Sequence, residues 1–180
     1  WPPDLAIDWL RNRKKNVKEQ DIFPLHITRV VAELAGLFRK RKGAFRLTKK
    51  GRDLCREDRA GELYATLFET FFRKFNLAYL DHRADCEGIQ QTVEYSLCQV
   101  GRLAGAWQPV DDLAPRLLLP TVAEQIPARG YGPDLGKLMI RTRIIRPLVR
   151  FGLIECRSAE EGGHFSPMTH VRKTDLFDRF

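Results

Sequence analysis

The stretch GLFRKRKGAFRLTKKGRDL, starting at Gly36, fixes more of the local fold than any other part of this sequence. Upstream, Phe23, Ile27, Val30, Val31 and Leu34 recur at helical spacing. At ~100° per residue they make one apolar face. Gly36 is a natural stop for that helix, because a residue without Cβ takes the left-handed conformation that ends a helix at no steric cost. Leu37 and Phe38 then start an extended run, RKRKG makes a tight polar turn, and Ala44-Phe45-Arg46-Leu47 returns. Thr48 has the chemistry of an N-cap, with Lys49–Leu54 as a short helix behind it.

The order helix, strand, turn, strand, helix is the tail of a winged helix. The motif Leu-Thr-x-x-Gly-x-x-Leu after a basic hairpin, here LTKKGRDL, resembles the wing exit of many bacterial winged-helix regulators.

The C-terminal region repeats the plan. RIIRPLVRFGLIEC leads through SAEEGGHFSPMT to HVRKTDLFDRF. Gly152-Leu153-Ile154 falls on Gly36-Leu37-Phe38, and Val171-Arg172-Lys173-Thr174 falls on Phe45-Arg46-Leu47-Thr48, so the second hairpin is ten residues longer. We read an internal repeat of architecture. Upstream of it, Ile89–Gly105 fits a helix, Trp107–Val110 a short strand and Asp111–Leu119 a helix with acidic residues at its start. Pro133-Asp134 opens a helix running from about Leu135 to Phe151. Pro147 lies inside it and removes a hydrogen bond, which predicts a kink or a break.

Between the copies, ELYATLFETFFRKFNLAYL has Leu63, Leu67, Phe71 and Phe75 at four-residue steps, with Tyr64, Phe68 and Phe72 beside them. So wide an aromatic band predicts a helix buried over much of its circumference and joining the two units. The sequence thus predicts a mainly α fold with short β-hairpin wings: two winged-helix-like units joined by an aromatic helix. The boundaries are 1–58 for an N-terminally incomplete first unit, 59–88 for the connecting helix and 89–180 for the second unit. At the N-terminus, Pro2-Pro3-Asp4 starts a short helix carrying Leu5, Ile7, Trp9 and Leu10. With no initiator Met and no signal-peptide core, the chain is expected to begin inside a longer protein. Over most of its length it also resembles a group of uncharacterised bacterial proteins, a resemblance that implies no activity.

Charge is distributed unevenly. Of the net +8, residues 1–60 carry +8, 61–120 carry −3 and 121–180 carry +3. That points to a localised basic patch. No apolar run approaches the ~20 residues a bilayer span needs, so no membrane partner is expected. Cys55, Cys86, Cys98 and Cys156 are scattered without a CxxC pair, which reads as four free thiols and a cytoplasmic protein.

Catalytic signatures are missing: there is no nucleophile elbow, no GxxxxGK[ST] and no GxGxxG. The chain is expected to be no enzyme and to need no cofactor. Cys156, His164 and His170 sit on the long hairpin, where such residues are more often solvated than metal-bound, and no metal site is expected. Asp81-His82 and Asp85 read as a polar turn. The sharpest functional signal is the basic wing, with Arg39, Lys40, Arg41 and Lys42 at the turn and Arg46, Lys49, Lys50 and Arg52 nearby. Cations on a hairpin tip suit phosphates, where counterion release drives binding; they also suit plain solvation and protection of a strand edge.

In the first unit the face opposite the apolar one holds Leu25, Arg29, Ala32 and Gly36, a poor reader of bases. In the second, Arg143, Arg146 and Arg150 form a stripe roughly opposite Leu138, Ile145 and Leu148, with Lys137 and Arg141 nearer the apolar sector. The expected role is a nucleic-acid-binding or regulatory module that meets duplex DNA backbone through the wing. The alternative is a protein-interaction module whose partner is another protein or the missing N-terminal region.

Overall fold

The chain divides into two units, Trp1–Phe75 and Asn76–Phe180, in the computed structural model, which describes residues 18–83, 86–126, 135–158 and 168–180. The helix expected around Leu5–Leu10, Asp85, Pro133-Asp134 and the tip of the second hairpin with His164 lie outside the described residues. The described chain is mainly helical, with two small antiparallel sheets.

In the first unit a 3-10 turn, Glu19–Asp21, leads into α1, Phe23–Leu34, with Pro24 in its first turn. Ile27, Val31 and Ala32 are buried as its inner seam, whereas Leu34 is 47% exposed. The seam is therefore rotated from the expected one, with Ala32 inside and Leu34 outside. Small residues explain the rotation: Ala32 and Ala35 let Leu37, Leu54, Leu63 and Leu67 pack closely against α1.

Gly36, at φ +73°, ends α1 in a Schellman motif. Its N–H donates to Glu33 O at 2.9 Å, and the Leu37 N–H donates to Ala32 O at 2.9 Å, so the helix's last carbonyls are satisfied. Strands β1, Phe38–Arg41, and β2, Ala44–Leu47, follow. Lys42 and Gly43 join them at φ +52° and +80°, the signs a two-residue type I′ turn requires. The hairpin closes on Thr48. Its N–H donates to Leu37 O at 2.9 Å, its hydroxyl donates to Gly36 O at 2.7 Å, and its oxygen accepts from the Gly51 N–H at 3.0 Å. That last bond caps α2, Lys49–Leu54. A Thr48→Ala protein is expected to lose about 1–2 kcal/mol, since the cap and the tie to Gly36 go together; urea denaturation measures it.

Helix α3, Ala60–Arg73, carries the aromatic band. Phe68, Phe71, Phe72 and the following Phe75 are buried, whereas Leu63, Tyr64 and Leu67 are only partly so. Ring centroids lie 4.7 Å apart for Phe68–Phe72 and 5.4 Å for Phe71–Phe75. Each buried ring contributes about 1.5–3 kcal/mol.

In the second unit a 3-10 turn, Leu77–Leu80, precedes α4, Glu87–Gln91, and α5, Val93–Leu103. The single helix expected over Ile89–Gly105 is interrupted at Thr92, whose hydroxyl donates back to Gly88 O at 2.6 Å. Such back-bonding competes with regular helix. Strand β3, Gln108–Pro109, leads to α6, Val110–Arg116, and to a short α7, Pro120–Ala123, that periodicity did not signal. Then come α8, Leu135–Ile140, a π-helical turn, Arg141–Ile145, and α9, Arg146–Arg150.

Pro147 explains the π turn. It has no N–H to give, and the Arg146 N–H reaches back five residues to Arg141 O. The ladder widens where the expectation was a kink or a break.

Strands β4, Ile154–Ser158, and β5, Met168–Lys173, and helix α10, Asp175–Arg179, complete the unit. The sheet order is β3-β5-β4. Ile140, Ile144, Ile145, Leu148 and Leu153 are wholly buried in the unit's core.

The repeat holds at the level of single hydrogen bonds. Gly152, at φ +73°, donates to Val149 O at 2.9 Å, and Leu153 donates to Leu148 O at 3.0 Å. Thr174 N–H meets Leu153 O at 3.0 Å and the Thr174 hydroxyl meets Gly152 O at 2.7 Å. Both units tie a helix end to a hairpin base with the same Gly, Leu and Thr. The second hairpin is the longer one, with a bulge at Arg157/Ser158.

Candidate nucleic-acid interface

Strand register decides which cations meet. Arg39 stands opposite Arg46, Lys40 opposite Phe45 and Arg41 opposite Ala44. Cross-strand partners share a face and neighbours along a strand alternate. One face of the hairpin therefore carries Arg39, Arg41 and Arg46. The other carries Phe38, Lys40, Phe45 and Leu47, and this Phe45 face turns to α1, whose Arg29 guanidinium lies 5.2 Å from the ring.

Residues 39–47 are all exposed. Arg39, Arg41, Lys42, Arg46 and Lys49 have no ion-pair partner among the described residues, and Lys40 Nζ lies 5.8 Å from the Phe45 ring centre. Most carboxylates among the unit's described residues are engaged elsewhere. Arg29 takes Glu19 and Glu33, each at 2.6 Å. Arg56 takes Asp58 at 3.1 Å, and Arg59 takes Asp53 and Glu62. Hydrogen bonds from Arg29, then from His26, hold the Glu19 carboxyl below its ordinary pKa.

A like-charged pair directly across two strands is destabilising, and here no carboxylate among the described residues pairs with either arginine. Two cations of the expected set are otherwise occupied. Lys50 Nζ donates to Ala35 O at 2.9 Å, closing the end of α1, and Arg52 donates to Leu47 O at 3.1 Å.

The same positions in the second unit are a built-in comparison. Where the first hairpin has Arg39 opposite Arg46, the second has Glu155 opposite Arg172. Arg172 gives Nε and Nη2 to Glu155 Oε1 at 2.8 and 2.6 Å. One copy is neutral at this place and the other doubly cationic.

The expected stripe in the second unit needs correction. Arg143 is 1% exposed and is bound by Asp81, with Nε to Oδ2 at 3.0 Å and Nη2 to Oδ1 at 3.1 Å. It reaches no surface ligand. The stripe presumes uniform helical spacing, and the π turn at Arg141–Ile145 breaks that phase. Arg146 and Arg150 stay exposed, one turn apart. Desolvation and then the adjacent Arg146 charge lower the Arg150 pKa. Arg141 pairs with Asp111 at 2.7 Å.

Asp81 is the residue that spacing missed, because its partner lies sixty-two residues along the chain. All four cysteines are free, with Cys86 buried and the other three exposed. Among the described residues no helix is long and apolar enough to cross a membrane.

No curated protein and no solved structure matches this chain. Residues 1–61, a span that takes in α1, the cationic hairpin and α2, are similar to the Y4jL N-terminal domain.

Proposed function

We propose that this protein is a nucleic-acid-binding module, not an enzyme, and that the β1–β2 hairpin meets the phosphate backbone of duplex DNA. The observation that carries the proposal is the Arg39–Arg46 pair, unopposed by any carboxylate among the described residues. Beside Arg41 and Lys42 it concentrates positive charge on one exposed face, and polyanion binding would relieve the repulsion that this face stores.

A winged-helix reading of the second unit is supported by its element order from α5 onward, helix, strand, three helical stretches, strand, strand, and by the sheet order β3-β5-β4. Arg146 and Arg150 would then lie on the helix that faces the major groove. The shared Gly–Leu–Thr tie supports reading the first unit as a shortened version of the same plan. A protein-interaction role is favoured by one observation, the exposure of Leu25 and Leu34 on α1 at 53% and 47%.

The test is a titration with random-sequence duplex DNA at several salt concentrations. Replacing Arg39, Arg41 and Arg46 together with Ala is expected to flatten the salt slope by ~0.9 for each phosphate left without its cation. Removing the repulsion should leave the hairpin as stable or more so, so weaker binding would not reflect unfolding. Wild-type protein without salt-sensitive affinity for the duplex would sink the proposal and favour the protein-interaction role.

A further inference from the structure

We propose that the outer face of the second unit's sheet is a seat for single-stranded nucleic acid, with Trp107 stacking a base and Arg157 holding a phosphate. The register places Glu155, Arg157, His170 and Arg172 together on one face of the β4–β5 pair. Val171 and Ile154, facing the other way, are 0% and 2% exposed and belong to the core. Gln108 pairs with Val171, which sets Trp107 beside Arg172 on the outer face. The indole is half-buried. The Arg157 guanidinium carbon lies 4.0 Å from its ring centre and that of Arg172 lies 5.0 Å away.

The two arginines differ in what else holds them. Arg172 is tied to Glu155 at 2.6 Å, so its charge is matched and its position fixed. Arg157 is exposed and has no carboxylate partner among the described residues. Among the described residues its guanidinium rests on the Trp107 indole. A planar cation stacked on this ring occupies the position a nucleobase would take, since both are flat and both stack on an aromatic face.

Exchange keeps every group satisfied. Arg157 swings from the ring to a phosphate and makes charge-assisted hydrogen bonds there, while the base takes its place on Trp107. Arg172 and His170 line the same face and add donors along the strand. A single strand is the ligand that fits, because bases in a duplex are stacked on one another and offer no free face. This seat is separate from the β1–β2 hairpin and does not depend on that hairpin's role.

The experiment titrates the whole chain with labelled oligo(dT) and, in parallel, with duplex DNA. Trp107→Phe, which keeps an apolar ring but a poorer platform, and Arg157→Ala, a surface change that leaves the core untouched, are compared with wild type. Each variant is expected to bind oligo(dT) less tightly, the first by about fivefold or more. In the second, the single-strand salt slope falls by about 0.7. The Arg39/Arg41/Arg46 variant should keep its oligo(dT) affinity. Unchanged oligo(dT) affinity in either Trp107→Phe or Arg157→Ala, or no oligo(dT) binding by wild type, overturns the proposal. Loss confined to duplex binding in the hairpin variant bears on the hairpin alone.

Discussion

The Asp81→Ala protein is expected to lose about 3–5 kcal/mol of stability, the usual cost of removing one partner from a buried ion pair. Arg143 and Asp81 have side chains only 1% and 6% exposed. Two parallel hydrogen bonds join them. Without the carboxylate, the Arg143 guanidinium stays in a site that is 1% exposed and loses the anion that matches its charge. Thermal unfolding followed by tryptophan fluorescence should show a fall in Tm of roughly 10–30 °C. Replacing both partners, as Asp81→Leu with Arg143→Met, should recover most of the loss, because an apolar pair carries no desolvation penalty. A loss under about 1 kcal/mol in Asp81→Ala would mean that the pair is solvated.

Gly51→Ala should destabilise the first unit, although the same change in an open helix position stabilises by up to about 1 kcal/mol. A Cβ on Gly51 would lie 2.2 Å from Leu37 O, 3.0 Å from Leu37 C and 3.1 Å from Leu47 Cδ2. The first of these is the carbonyl that accepts the Thr48 N–H, so the methyl group would push on the hairpin's closing bond. Backbone cannot move aside as a side-chain tip can, and we expect a loss of about 1–3 kcal/mol or more. Gly61→Ala in α3 is the control, since nothing lies within 4 Å of its Cβ. Urea midpoints should move in opposite directions for the two variants. A stabilised Gly51→Ala protein would show that α2 does not sit against Leu37 in solution.

Gly51 also shows why parts of this fold were legible in the sequence. The Leu-Thr-x-x-Gly motif encodes local events: an N-cap, a hairpin base and a close helix approach, all within a few residues. Gly36, Thr48, Gly152 and Thr174 act locally too, and counting from them aligns the two hairpins without any structure. In the second unit Phe177 stands where Gly51 would be, and its ring packs instead where a Cβ on Gly101 would come within 3.3 Å. The motif's absence there was visible, but its consequence was not.

What stayed hidden depended on distant residues or on broken phase. Arg143 reads as a surface cation only under uniform helical spacing, and a π turn intervenes. Asp81 reads as a turn residue because nothing local marks a buried partner. Trp107 draws no attention as a site residue, since its cationic neighbours arrive on β4 and β5, far along the chain. In the basic hairpin, composition identifies the cations, but only the strand register shows that Arg39 faces Arg46 while Lys50 is occupied at the end of α1.

Lys42 has a consequence for how this hairpin came to have its sequence. Asn-Gly is the comfortable choice for such a turn, whereas a lysine at φ +52° carries a penalty on the order of 1 kcal/mol. A chain that keeps the lysine accepts a looser tip in return for one more positive charge at its outermost point, and a designer who idealised this turn would improve the hairpin while removing part of what it presents to solvent.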